Sequence, residues 1–119
     1  MNINELIKLM RKRPGMFTEN SCLEEIAQFI GGFIFANSMS GHIEETDIIF
    51  KEHFHKWVKR NIEIEYNMFF SEDRNYVYYI KNSVELDSRI SIFFDMCDKF
   101  FEEYREQRGY FAHSSAESN

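Results

Sequence analysis

The sequence predicts an all-α protein: a single-domain helical bundle of about five helices. Three observations carry this. Apolar residues recur at helical spacing through most of the chain. Helix stop signals, Pro14 with Gly15 and later Gly41, stand between the periodic runs. The length of 119 residues, 44% of them apolar and 13 of them Phe, suits one domain whose folding removes about two-thirds of the unfolded chain's surface from water.

The first helix is "NINELIKLMRK". Ile3, Leu6, Ile7 and Met10 share one face, and Asn2 is placed to cap, with Glu5 three residues on. Arg13 precedes Pro14 and is biased away from helical backbone, so the helix should stop near Lys12. The second helix opens on Ser21-Cys22-Leu23-Glu24, which has the form of a capping box. Leu23, Ile26, Ala27, Ile30, Phe33, Ile34 and Asn37 make its stripe. Phe29 and Phe35 widen the apolar surface and suggest a central position. Gly31 and Gly32 lie mid-helix, where each costs about 1 kcal/mol against Ala; close approach by another backbone would explain them. Gly41 should end this helix.

The third helix is expected over Thr46 to Asn61, with Ile49, Phe50, Phe54, Trp57 and Val58 as its stripe and Lys59 and Arg60 suiting its C-terminal dipole end. Residues 62–82 carry two readings. "IEIEYNMFF" alternates like a strand and "YVYYIK" is rich in β-formers, so a small hairpin around 62–80 would close through "SEDRN". Against this, a lone hairpin is marginal, and Asn75 is placed to cap a short helix through Lys81. The last helix is the clearest: Ile90, Phe93, Phe94, Cys97, Phe100, Phe101 and Tyr104 lie on one face, opposite Asp95, Asp98, Lys99, Glu102 and Glu103. Residues 1–107 are expected to form the domain, with 108–119 a polar, frayed tail.

The formal net charge is −6, and it is unevenly spread. Residues 1–13 carry four cations against one anion, +3; residues 14–119 carry ten against nineteen, −9. This balance argues against direct binding of nucleic acid, whose phosphates need a basic face, and suits a basic partner or plain solubility. Cys22 and Cys97 fall among apolar residues in different helices and read as reduced, buried thiols. The first apolar residues alternate with charge, unlike a secretory signal, and no apolar run reaches the roughly 18 residues of a membrane span. The expected location is the cytoplasm, without membrane contact.

No catalytic, cofactor-binding or metal-binding residue is expected, and the chain reads as a non-enzyme. Both thiols sit on apolar stripes rather than beside a base. His53 and His55 are two residues apart and point to different sides of a helix, so they cannot share a metal there. His42 and His113 add no ligand spacing with the cysteines. The carboxylate pairs Glu24/Glu25, Glu44/Glu45, Glu72/Asp73 and Glu102/Glu103 read as solvated faces, since acid–base work needs a cleft that separates their pKa values.

The stretch "RKRPGMF", Arg11 to Phe17, poses a sharper choice between a phosphate site and a turn. It resembles the start of the ATPase domain of type II topoisomerases. The Asn-bearing helix and the Asp-x-Gly-x-Gly that should follow are missing from this sequence. It therefore reads as a structural corner, with Met16 and Phe17 packing under the start of the second helix.

The same stretch followed by "SCLEEIAQFIGGFIFA" resembles small bacterial immunity proteins of contact-dependent inhibition and polymorphic toxin systems. The resemblance runs from Arg13-Pro14-Gly15-Met16-Phe17 through Leu23, Ile26 and Gly32-Phe33, then Phe50 to Trp57-Val58, and Phe93-Phe94 to Phe100-Phe101. It spans about residues 3–104. Phe17-Thr18 stands where Tyr and an aliphatic residue are usual, and "IEIEYNMFF" is an insert. The resemblance implies a protein that binds and neutralises the C-terminal domain of a cognate toxin, a basic nuclease such as an RNase, by covering its active-site surface. Such a protein would be a monomer or weak dimer when free and would need no cofactor. Its contact surface is expected at Glu44, Glu45 and Asp47 by the third helix, at Glu72 and Asp73 in the middle loop, and at Tyr76, Tyr78 and Tyr79. The other reading is a small helical adaptor or regulatory subunit that binds a host protein through an apolar patch.

Overall fold

The computed structural model describes the backbone of residues 1–17 and 22–118, and the side chains of these other than 14 and 106–118. Five helices follow in order: α1 (Ile3–Lys12), α2 (Leu23–Ser40), α3 (Glu45–Glu65), α4 (Tyr76–Lys81) and α5 (Arg89–Ser118). Short 3₁₀ turns at Pro14–Met16 and Leu86–Ser88 lead out of α1 and into α5. No strand occurs among the described residues, and the chain is a small all-α bundle, as its periodicity predicts.

Local sequence explains the boundaries. Asn2 and Glu5 form a reciprocal capping box on α1, with Glu5 N–H donating to Asn2 Oδ1 at 3.0 Å and Asn2 N–H to Glu5 Oε1 at 3.1 Å. Helix α1 stops at Lys12, before the proline. Gly41 ends α2 with φ +77°, the left-handed conformation that glycine adopts without a Cβ penalty. The N-cap of α2 is Cys22; Ser21, and with it the capping box expected there, lies outside the described residues. Asn75 caps α4 by accepting from Tyr78 N–H at 2.9 Å. Helix α5 continues past Arg108, where the sequence suggests a polar tail.

The region with two readings is helical, then looped. Helix α3 runs four residues beyond Asn61 because Ile62 continues the every-fourth stripe of Phe50, Phe54 and Val58 into the core. Ile62 is 0% exposed and Ile64 is 72% exposed. A strand would have put both on one face; a helix turns them about 200° apart. Asn67 then adopts φ 51°, a region Asn tolerates better than most residues, and the chain reverses. Glu63 fixes that reversal by accepting Phe70 N–H at 2.9 Å. The hairpin is thereby replaced by a loop and a one-and-a-half-turn helix.

The core is aromatic at its centre. Phe54 is wholly buried and touches Phe50, Tyr76, Phe93 and Phe100, with ring centroids 4.5–6.0 Å apart. It therefore joins α3, α4 and α5. Ile3, Leu6, Ile7 and Met10 of α1 and Leu23, Ile26, Ile30 and Ile34 of α2 complete the same core. Helix α2 is less central than its composition suggests: Phe35 is 66% exposed, and Phe29 and Met39 are exposed too. A Cβ added at Gly31 or Gly32 would meet nothing within 4 Å, so no backbone approaches closely there.

Candidate functional site

One cation of the basic stretch is used by the fold, while Lys12 and Arg13 are exposed. Arg11 reaches from α1 to α5, where its guanidinium binds Asp95 at 2.6 Å and Asp98 at 2.5 Å and lies 5.9 Å from the Phe94 ring centre. A cation shared between two carboxylates has its charge already matched within the fold. Phe17 packs edge-on against Phe29 of α2 at 5.2 Å, while Met16 stays exposed rather than packing under α2. The stretch is a corner, anchored by one aromatic ring instead of two apolar side chains.

Of the eight residues expected at a contact surface, three lie inside. Asp47 is 0% exposed. Its Oδ1 accepts Ile3 N–H at 2.7 Å, and its Oδ2 accepts Glu44 N–H at 3.0 Å and the Asn37 amide at 3.5 Å. The carboxylate sits between the N-terminal ends of α1 and α3, where helix dipoles favour negative charge. It joins three helices and has no face left for a partner. Tyr76 is buried between Phe54, Phe93 and His55. Tyr79 is buried as well, its hydroxyl accepting Arg74 N–H at 2.5 Å. These three corrections share a cause: each residue falls on the inner face of its helix.

The other five are at the surface. Glu44 and Glu45 are exposed at the start of α3. Glu72 pairs with Arg74 at 2.7 Å, and Asp73 pairs with Lys59 of α3 at 3.1 Å. Tyr78 is half-exposed under the Arg74 guanidinium, 5.4 Å from its ring centre. Lys59 stands fourteen residues after Glu45, about 20 Å along α3 and about 40° from it around the axis. The two acidic corners therefore flank one side of α3 but do not converge on a point. Between Tyr66 and Glu72 lies an exposed aromatic residue that the sequence reading does not single out. Phe69 is 81% exposed, whereas its neighbour Phe70 is buried on Tyr79 with ring centroids 4.9 Å apart. The sequence shows only the adjacent pair, and packing decides which of the two faces water.

The histidines of α3 serve its two sides. His53 stacks on Tyr104 of α5 at 5.5 Å, and His55 stacks on Tyr76 of α4 at 5.0 Å. His55 Nδ1 accepts Tyr76 N–H at 2.9 Å, supplying the first N–H of α4 with a partner. Burial pushes the His55 imidazole below its ordinary 6.5. Cys97 is wholly buried, and burial pushes its thiol up. Among the described residues, no three His, Cys, Asp or Glu side chains are grouped as metal ligands. No described helix is long and apolar enough to cross a membrane.

Concavities lie between the described helices. A groove of about 420 Å³ runs between α2, α3 and α4, apolar along Ile30, Ile34, Phe35 and Phe50 and edged by Lys51 and His55. A second, of about 370 Å³, lies between α1, α3 and α5 and mixes charges, with Lys8, Glu45, Asp98 and Arg105 on its walls. No protein-family model matches the chain, and comparison with curated proteins and with solved structures finds no significant match.

Proposed function

We propose that this protein is an immunity-type inhibitor, which binds a cognate toxin domain and covers its basic, nuclease active-site surface. Phe69 carries the reading. A phenyl ring 81% exposed at a chain reversal, with Glu72 and Asp73 a few residues on, has the composition of an interface anchor beside a charged rim. The acidic corners at Glu44/Glu45 and Glu72/Asp73 stand about 20 Å apart along α3. One standard-size contact of about 800 Å² per partner is about 30 Å across and reaches both. Carboxylates opposite a basic nuclease groove speed encounter and select the partner. In this reading the inhibitor works in the cytoplasm as a monomer or weak dimer until the toxin domain arrives, and performs no chemistry itself.

The test is co-expression with a toxin module encoded by the adjacent gene, where that gene encodes one, followed by co-purification and a nuclease assay. A complex that silences the nuclease supports the proposal. Phe69→Ala should weaken it by about 30-fold, the effect of losing a central anchor. Absence of a complex with that module, or a complex indifferent to Phe69→Ala and Glu72→Lys together, overturns it.

A second reading rests on a separate observation. Phe35 and Met39 lie four residues apart on α2, both largely exposed, and form an apolar strip of the kind a helical adaptor presents. Self-association in sizing chromatography that Phe35→Ser abolishes would favour the adaptor.

A further inference from the structure

We propose that the groove between α2, α3 and α4 is a binding site for a small apolar monocarboxylate. The site is concave, and its volume of about 420 Å³ falls within the range of small-molecule sites. Its walls are Ala27, Ile30 and Ile34 of α2 with Phe50 of α3, and Phe35 forms an exposed lip. Such a lining holds an alkyl or aryl body by excluding water from it.

Ser38 and Asn75 also line the groove, and Lys51 is its one charged residue. Lys51 and His55 are four residues apart on α3, so their side chains stand together on the groove's edge. Lys51 makes no ion pair among the described residues. His55 Nδ1 accepts Tyr76 N–H, which requires that Nδ1 carry no proton. The neutral ring therefore bears its proton on Nε2 as a donor of fixed orientation. A carboxylate can accept from both kinds of group, the Lys51 ammonium and an imidazole N–H. No carboxylate of the protein lines the groove to compete.

Gly31 supports the assignment. It lines the groove, has helical backbone, and has open space where a Cβ would project. Neither a turn nor a close helix contact requires glycine here, although it weakens the helix by about 1 kcal/mol. The missing side chain keeps the groove open between Ala27 and Phe35. This inference stands independently of the toxin reading, since neither acidic corner contributes to the groove.

Titration calorimetry with decanoate and with 4-phenylbutyrate tests it, with decanol and decyltrimethylammonium as uncharged and cationic counterparts. At least one carboxylate should bind at one per chain, more tightly than either counterpart. Lys51→Gln should weaken it about tenfold, as expected for loss of one charge-assisted contact. Gly31→Leu should abolish binding while circular dichroism shows full helix content, and Lys8→Gln at the second concavity should change nothing. If Gly31→Leu loses helix content, Lys51→Gln alone decides. No saturable binding by either carboxylate, equal binding of the cation, or indifference to Lys51→Gln overturns the proposal.

Discussion

The carboxylate of Asp47 accepts the backbone N–H of Ile3 at 2.7 Å, so a side chain in the first turn of α3 holds the first turn of α1. The contact spans 44 positions of sequence and is completely buried. Asp47→Ala would leave Ile3 N–H, Glu44 N–H and the Asn37 amide without this acceptor. Hydrogen bonds to a charged group are worth about 1.5–3 kcal/mol each and are not additive, so the expected loss is about 3 kcal/mol. Urea denaturation measures it. A loss below about 1 kcal/mol would show that the carboxylate is not what joins the two helices.

Gly32 has helical backbone and open space beside it. Gly32→Ala should therefore stabilise the protein by about 1 kcal/mol, through helix propensity and a less flexible unfolded chain. For a domain of this size the melting temperature should rise by about 4 °C. A fall would reveal a close approach at this position that the open space contradicts.

The pH dependence of stability should carry a signature of His55. Its folded-state pKa is depressed by burial below 6.5. As pH falls below that value the unfolded chain takes up the proton first, so the unfolded state gains and stability declines. Above it both states are neutral and the contribution is flat. Protonation at Nδ1 would also remove the acceptor of Tyr76 N–H. Comparing urea midpoints from about pH 7 to 5 in wild type and His55→Gln isolates the effect, since other groups titrate in both. Identical slopes would contradict it.

Cys97 lies wholly inside the core and burial holds its thiol protonated, whereas Cys22 is half-buried at the start of α2. Thiolate is the reactive form, so iodoacetamide should modify native protein at Cys22 and spare Cys97 until urea unfolds the chain. Mass spectrometry of the peptides reads this directly. Comparable native rates at the two cysteines would mean that the α5 core opens readily.

Much of the bundle was legible because its signals are local. Asn2 with Glu5, Pro14, Gly41 and Asn75 mark helix ends through contacts within a few residues, and the stripes of α1 and α5 state their buried faces directly. The alternation of "IEIEY" left a strand open for a definite reason. Ile62 and Ile64 look equivalent in a two-residue period, and only the packing of Ile62 beneath Val58 distinguishes them.

The exposure of the residues expected at a contact surface was less legible. Glu44, Glu45, Glu72, Asp73 and Tyr78 are on the outside as expected, but Asp47, Tyr76 and Tyr79 are structural. An aspartate three residues into a helix resembles any other surface acid until the end of α1 arrives to use it. The groove of Lys51, His55 and Gly31 is likewise assembled from separate segments, and none of its members has a distinctive neighbour in sequence.

Helix positions, the apolar stripes and the acidic balance belong to the amino-acid order, because periodicity, capping and charge act over a few residues or by simple summation. Which acid is buried, which of two adjacent Phe residues faces water, and where α2 and α3 leave a groove were settled by packing. Those outcomes depend on what arrives from distant parts of the chain to exclude solvent, and no local pattern encodes that arrival.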